Sequence, residues 1–126
     1  MGVIEANRKR QEMKDPRGKV FLLSSEGIGY GEDTLGYQVL ATMLESLIKR
    51  PDKPAAIICW NTAVKLVAEG SPLVPQFKRL EEKGIKILLG KLCVGECELT
   101  GKIAVGKEAT MDEILDLILN NDVVTL

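Results

Sequence analysis

The chain has 126 residues, with 17 Lys plus Arg, 18 Asp plus Glu and no histidine. The missing histidine excludes a Ser-His-Asp or Cys-His arrangement within the chain, zinc sites that need imidazole, and histidine-based acid–base work. A formal net charge of -1 offers no bulk attraction to nucleic acid or to an acidic membrane surface.

The segment from Met1 to Lys19 carries six basic and three acidic side chains, against eleven and fifteen in the remainder. Arg8-Lys9-Arg10 fits a basic arm on nucleic acid. It also fits a frayed leader, which the scarcity of apolar residues and the Asp15-Pro16-Arg17-Gly18 turn favour. Val20 to Ser24 is a short apolar run without alternation, as expected of a strand covered on both faces. Glu26 to Asp33 follows, with Gly27, Gly29 and Gly31 spaced by single residues. That spacing matches neither G-x-G-x-x-G nor the phosphate-binding loop with its lysine, and Glu32 with Asp33 would repel a phosphate at a helix start. The main-chain amides can still cradle a small anion, and a tight strand-to-helix turn is the plainer alternative.

Asp33 is the expected cap of a helix whose Leu35, Val39, Leu40, Met43, Leu44, Leu47 and Ile48 recur at helical spacing, closed by Pro51. Ala55 to Trp60 reads as a second buried strand, with Cys59 an inward thiol, and Asn61 to Glu69 as a short helix. Asn61 faces the loop, where it can position a ligand or cap that helix. Ser71-Pro72 gives a cap and a first-turn proline for a helix running to Lys83. Ile85 to Leu89 is the third strand. Gly90 to Gly101 is a loop region with room for a turn of helix, bearing Cys93 and Cys97. Ile103 to Val105 is a brief fourth strand. Thr110-Met111-Asp112-Glu113 is a capping box for a helix ending at Asn120-Asn121, and Val123-Val124 supplies a fifth strand.

Strands that are apolar throughout, alternating with amphipathic helices, predict an α/β protein: three layers, α/β/α, around a mainly parallel sheet of about five strands. Functional residues then belong at the carboxyl ends of the strands, in Ser24–Asp33, Trp60–Thr62 and Gly90–Gly101. No stretch approaches the roughly 18 apolar residues of a spanning helix, and the polar N-terminus lacks a signal-peptide core, so no membrane role is expected. An odd number of cysteines fits reduced thiols in the cytoplasm.

Cys93 and Cys97 are not a C-x-x-C pair, and two thiols fall short of a structural zinc site. Sulfur transfer suits a chain without imidazole, because the cysteine sulfur itself accepts the transferred atom as a persulfide. Incidental thiols remain the alternative.

Four segments resemble the DsrE/DsrF-like family: Leu23 to Gly36, Trp60 to Leu66, Leu80 to Gly84 and Ala104 to Gly106. The similarity extends roughly from Lys19 to Leu119 and is nearest to the C-terminal domain of YedF-type selenium-metabolism proteins. It implies one DsrE-like domain over residues 19–126 behind a flexible leader over 1–18, assembled as a homo-oligomer. It also implies a sulfur- or selenium-relay role on Cys93, assisted by Cys97, with Gly27, Gly29, Gly31 and Asn61 lining the same cleft. The partner would be a separate small sulfur-carrier protein, because the sulfur-carrier domain of YedF proteins is missing here. No cofactor, metal or nucleic acid is expected. The Cys-Gly-Thr-Cys run of YedF-like chains falls on Gly90 and Cys93, so the sulfur-carrying first position is a glycine here and Cys97 is additional. The Asn-x-Gly-Val segment of those chains appears as Asn61-Thr62-Ala63-Val64. The rival functions are a non-catalytic small-ligand or protein-interaction module and a redox sensor built on a Cys93–Cys97 disulfide.

Overall fold

The computed structural model describes residues 18–126, so the expected leader lies outside the described residues except for Gly18. Five strands, β1 (Lys19–Leu23), β2 (Ala56–Cys59), β3 (Lys86–Gly90), β4 (Lys107–Ala109) and β5 (Asp122–Thr125), form one sheet in the order β4-β3-β2-β1-β5. Every pairing is parallel. Four α-helices connect them: α1 (Asp33–Lys49), α2 (Val74–Glu82), α3 (Lys91–Glu96) and α4 (Met111–Asn120). A 3-10 segment, Asn61–Val67, follows β2.

The layering follows from the handedness of parallel crossovers. From β1 to β4 the chain advances across the sheet in one direction, so right-handed connections stack their helices on one face. The return from β4 to the far edge at β5 reverses the direction and puts α4 on the other face. The two cores agree with this. Leu23, Ile57, Cys59, Ile87 and Leu89 pack with Leu40, Leu44, Phe77, Leu80 and Val94. The alternate strand residues Val20, Leu22, Ala56 and Ile58 pack with Ile114 and Leu117 of α4. Period-two alternation therefore divides apolar strands between two buried faces, the pattern expected of a covered parallel sheet.

Several local expectations change. Glu32, not Asp33, caps α1: its carboxylate accepts from the amides of Thr34 at 3.0 Å and Leu35 at 2.8 Å. Those bonds hold the Glu32 carboxyl below its ordinary range. Asn61–Val67 is 3-10 rather than α-helical. The next helix starts at Val74, beyond Ser71-Pro72. Within Gly90–Gly101, Gly90 ends β3 and the helical turn that the segment allowed is α3, beginning at Lys91. The fourth strand is the polar Lys107–Ala109, whereas Ile103 makes only an isolated antiparallel bridge to Ala68. An edge strand draws its stability from ladder hydrogen bonds and tolerates charged side chains, while Val105 is buried in the core below it. The capping box at Thr110 and Glu113 forms as expected.

Candidate functional site

All five strands point the same way, so the segments after β1, β2 and β3 emerge at one end of the sheet. The register pairs Cys59 with Leu89, so the next residues, Trp60 just past β2 and Gly90 at the end of β3, lie side by side. Gly90 has no side chain where space is short: a Cβ there would lie 3.2 Å from Cys93 Sγ and 3.3 Å from Trp60 Cβ. The sulfur occupies the room that this glycine leaves.

Cys93 sits on the first turn of α3 and lines a cleft of about 320 Å³ with Trp60, Asn61, Leu92, Glu96 and Cys97. The indole N–H of Trp60 donates to Ser24 Oγ at 3.0 Å, which orients the ring from the β1 side. The main-chain N–H of Asn61 donates to Cys93 Sγ at 3.0 Å. Asn61 adopts φ +54°, in the left-handed region that asparagine enters more readily than most residues. Cys97 lies one helical turn beyond Cys93, its N–H bonded to the Cys93 carbonyl at 2.9 Å. Both thiols are free and partly exposed. Trp60 and Leu92 give the Cys93 sulfur a largely apolar setting, and Glu96 also lines the cleft.

The glycines expected in this cleft lie elsewhere. Gly27 and Gly29 line a neighbouring cavity of about 520 Å³ with Ser25, Glu26, Glu32 and Thr62. Gly31 lines neither of the two. Asn61 and Thr62, adjacent in sequence, separate the two hollows. Gly27 serves packing, since its Cα approaches the backbone of α1, where Ile28 N donates to Gly36 O at 3.0 Å. The amides at the start of α1 that suggested an anion cradle are already taken by the Glu32 carboxylate. Trp60, Gly90, Leu92 and Glu96 fall within the segments expected to carry function, but none was named among the candidate site residues. The single tryptophan at a strand's carboxyl end was the available signal.

Cys59 is fully buried against the helix-rich core, and burial pushes its thiol up to about 12 from an ordinary 9.0. The unfolded chain therefore releases this proton first as pH rises. The thiol's contribution to stability is complete below about pH 9 and is lost between there and about 12, at a limiting slope of about 1.4 kcal/mol per pH unit. Between about pH 8.5 and 10 the wild type should lose about 1 kcal/mol more unfolding free energy than Cys59→Ala. Urea unfolding of both proteins at the two pH values measures the difference.

Among the described residues no group of three or more Cys, Asp or Glu side chains is placed to hold a metal ion. Nor is any helix among them long and apolar enough to cross a membrane.

The parallel sheet, its strand order and its helices on both faces define the class, an α/β/α protein, and solved structures share that fold. The ychN protein from E. coli superposes with a TM-score of 0.61 at 16% identity, over 86% of this chain and 99% of that one. BT1422 from Bacteroides thetaiotaomicron, a conserved protein of unknown function, gives 0.62 at 20% identity, over 86% and 94%. MTH1491 from Methanobacterium thermoautotrophicum, also of unknown function, gives 0.63 at 8%, over 88% and 100%. At such identities the likeness is one of fold. No protein-family model matches the sequence, and no curated protein matches it.

Proposed function

We propose that this protein relays sulfur or selenium as a persulfide or its selenium counterpart on Cys93, in the manner of the YedF-type C-terminal domains it resembles. The observation that carries the reading is the placement of Cys93 Sγ in an open, largely apolar cleft with a main-chain N–H directed at it. In the loading step the Cys93 thiolate attacks the outer sulfur of a donor persulfide. A new S–S bond forms on Cys93, the donor's S–S bond breaks, and the donor leaves as a thiolate, so no oxidant is consumed. Discharge is the same exchange with an acceptor thiolate attacking the outer sulfur. Cys97, one turn away, assists as a second acceptor thiol. The setting is a cytoplasmic homo-oligomer served by a separate small sulfur-carrier protein.

Incubation with a small-molecule persulfide followed by peptide mass analysis should add about 32 Da to the Cys93 peptide, reversibly under reductant. After cleavage at Glu96, which separates positions 93 and 97, the same treatment should leave the peptide carrying position 93 of Cys93→Ser unchanged. Absence of the adduct from wild-type Cys93 would remove the proposal.

A second reading, an interaction module with incidental thiols, draws on α4. Met111, Leu115 and Leu119 recur there at four-residue spacing and remain exposed. It requires partner capture to survive replacement of both Cys93 and Cys97.

A further inference from the structure

We infer that the Cys93 cleft selects its sulfur compounds by charge: the reaction partner is cationic where it meets the thiol, and Glu96 is the residue that sets this preference. The inference rests on the relay reading for its purpose, since it names the chemical class of donor and acceptor, but no persulfide enters its test.

Trp60, Asn61 and Leu92 surround the two thiols, and among the described residues Glu96 is the one charged side chain lining the cleft. Glu96 lies three positions after Cys93 on α3, a spacing that puts the two on one helix face. Lys91 lies two positions before Cys93, a spacing that turns it to another face, and it does not line the cleft. The neighbouring hollow, across Asn61 and Thr62, repeats the sign: Glu26, Glu32 and Asp33 line it with no lysine or arginine. Glu32 is engaged by the α1 amides, which leaves Glu26 and Asp33 as the carboxylates open to a ligand there. Glu96 is exposed, so its charge acts through water and steers approach rather than gripping a ligand. A donor with carboxylates beside its reactive sulfur is repelled, and one bearing ammonium or guanidinium groups is drawn in. A small aminated persulfide and a basic segment of a partner protein offer the same chemistry.

Two methanethiosulfonates of similar size, one ending in trimethylammonium and one in sulfonate, test the preference. Each passes its thioalkyl group to a thiolate, forming a disulfide as methanesulfinate leaves. Cys97→Ser is the background, so that modified Cys93 is not resolved by its neighbour. Both reagents draw on the same thiolate population, so the ratio of their rates does not depend on how Cys93 titrates. At low salt the cation-to-anion ratio at Cys93 should exceed that of 2-mercaptoethanol. Glu96→Gln should lower it about fourfold and Glu96→Lys about fifteenfold, and about 0.5 M salt should remove most of the difference. Lys91→Gln should move the ratio far less. A ratio equal to that of the model thiol, or one that Glu96→Gln leaves unchanged, overturns the inference. Equal and opposite changes in Lys91→Gln and Glu96→Gln also overturn it, by assigning the effect to the overall charge of α3. Peptides with an activated disulfide flanked by lysines or by glutamates identify the source of the charge. If Glu26→Gln with Asp33→Asn lowers the lysine peptide's advantage and leaves the small reagents' ratio alone, the cation is a partner segment reaching the neighbouring hollow. If both hold, it is a small molecule. Failure of persulfide loading would sink the relay and leave these ratios intact.

Discussion

Gly27→Ala should lower the unfolding free energy by about 3 kcal/mol, at the upper end of the cost of overpacking. A Cβ on Gly27 would meet the Gly36 carbonyl carbon at 2.8 Å, the Tyr37 nitrogen at 3.0 Å and the Gly36 oxygen at 3.2 Å. All three are backbone atoms of α1, which cannot swing aside as a side-chain tip can. Gly36 is the reciprocal surface, since its own added Cβ would lie 3.1 Å from Ile28 O. The two glycines therefore let the loop after β1 rest directly on the helix. Gly29, two residues along, is the control. It has φ +83° with nothing within 4 Å of an added Cβ, so Gly29→Ala should cost only the left-handed backbone penalty of about 1–2 kcal/mol. Denaturant unfolding of the pair checks the ranking. Equal costs would mean that close approach is not what holds this loop.

Gly90→Cys should create a disulfide with Cys93. An added Cβ at position 90 would stand 3.7 Å from Cys93 Cβ and 3.2 Å from its Sγ, within the spacing of about 3.5–4.5 Å between bridged Cβ atoms. Under mild oxidant, thiol titration in denaturant should fall from four groups to two, counting the native three and the added one. The oxidised variant should resist iodoacetamide at Cys93, and reductant should restore labelling. Four titratable thiols after oxidation would contradict the position assigned to the Cys93 sulfur. Because Trp60 Cβ lies 3.3 Å from the same point, the reduced variant should also displace the indole slightly, visible as altered tryptophan fluorescence.

Much of this architecture is readable from residue pattern. The apolar runs at Val20, Ala56 and Ile87 are buried by a covered parallel sheet, and the periodicity from Leu40 to Ile48 is the inner face of α1. Lys107–Ala109 escaped notice because an edge strand of three residues needs hydrogen bonds more than hydrophobicity. The places of Asn61 just after β2 and of Cys93 just after β3 were legible in the sequence. Their contact was not, because it depends on the β2–β3 register, which leaves no periodic trace. Gly27 and Gly29 share a motif but answer separate demands, close packing and backbone sign, and the hollow they line adjoins the thiol cleft without being part of it.

In the proposed relay, sulfur passes through Cys93 rather than merely resting there. The most direct measurement loads the protein with a persulfide donor carrying isotopically heavy outer sulfur, removes the donor, and adds a small thiol acceptor. The account predicts that heavy sulfur appears on the Cys93 peptide, leaves it as acceptor is added, and is recovered on the acceptor, with no transfer by Cys93→Ser. Heavy sulfur that never reaches Cys93, or that reaches the acceptor equally well through Cys93→Ser, would contradict it.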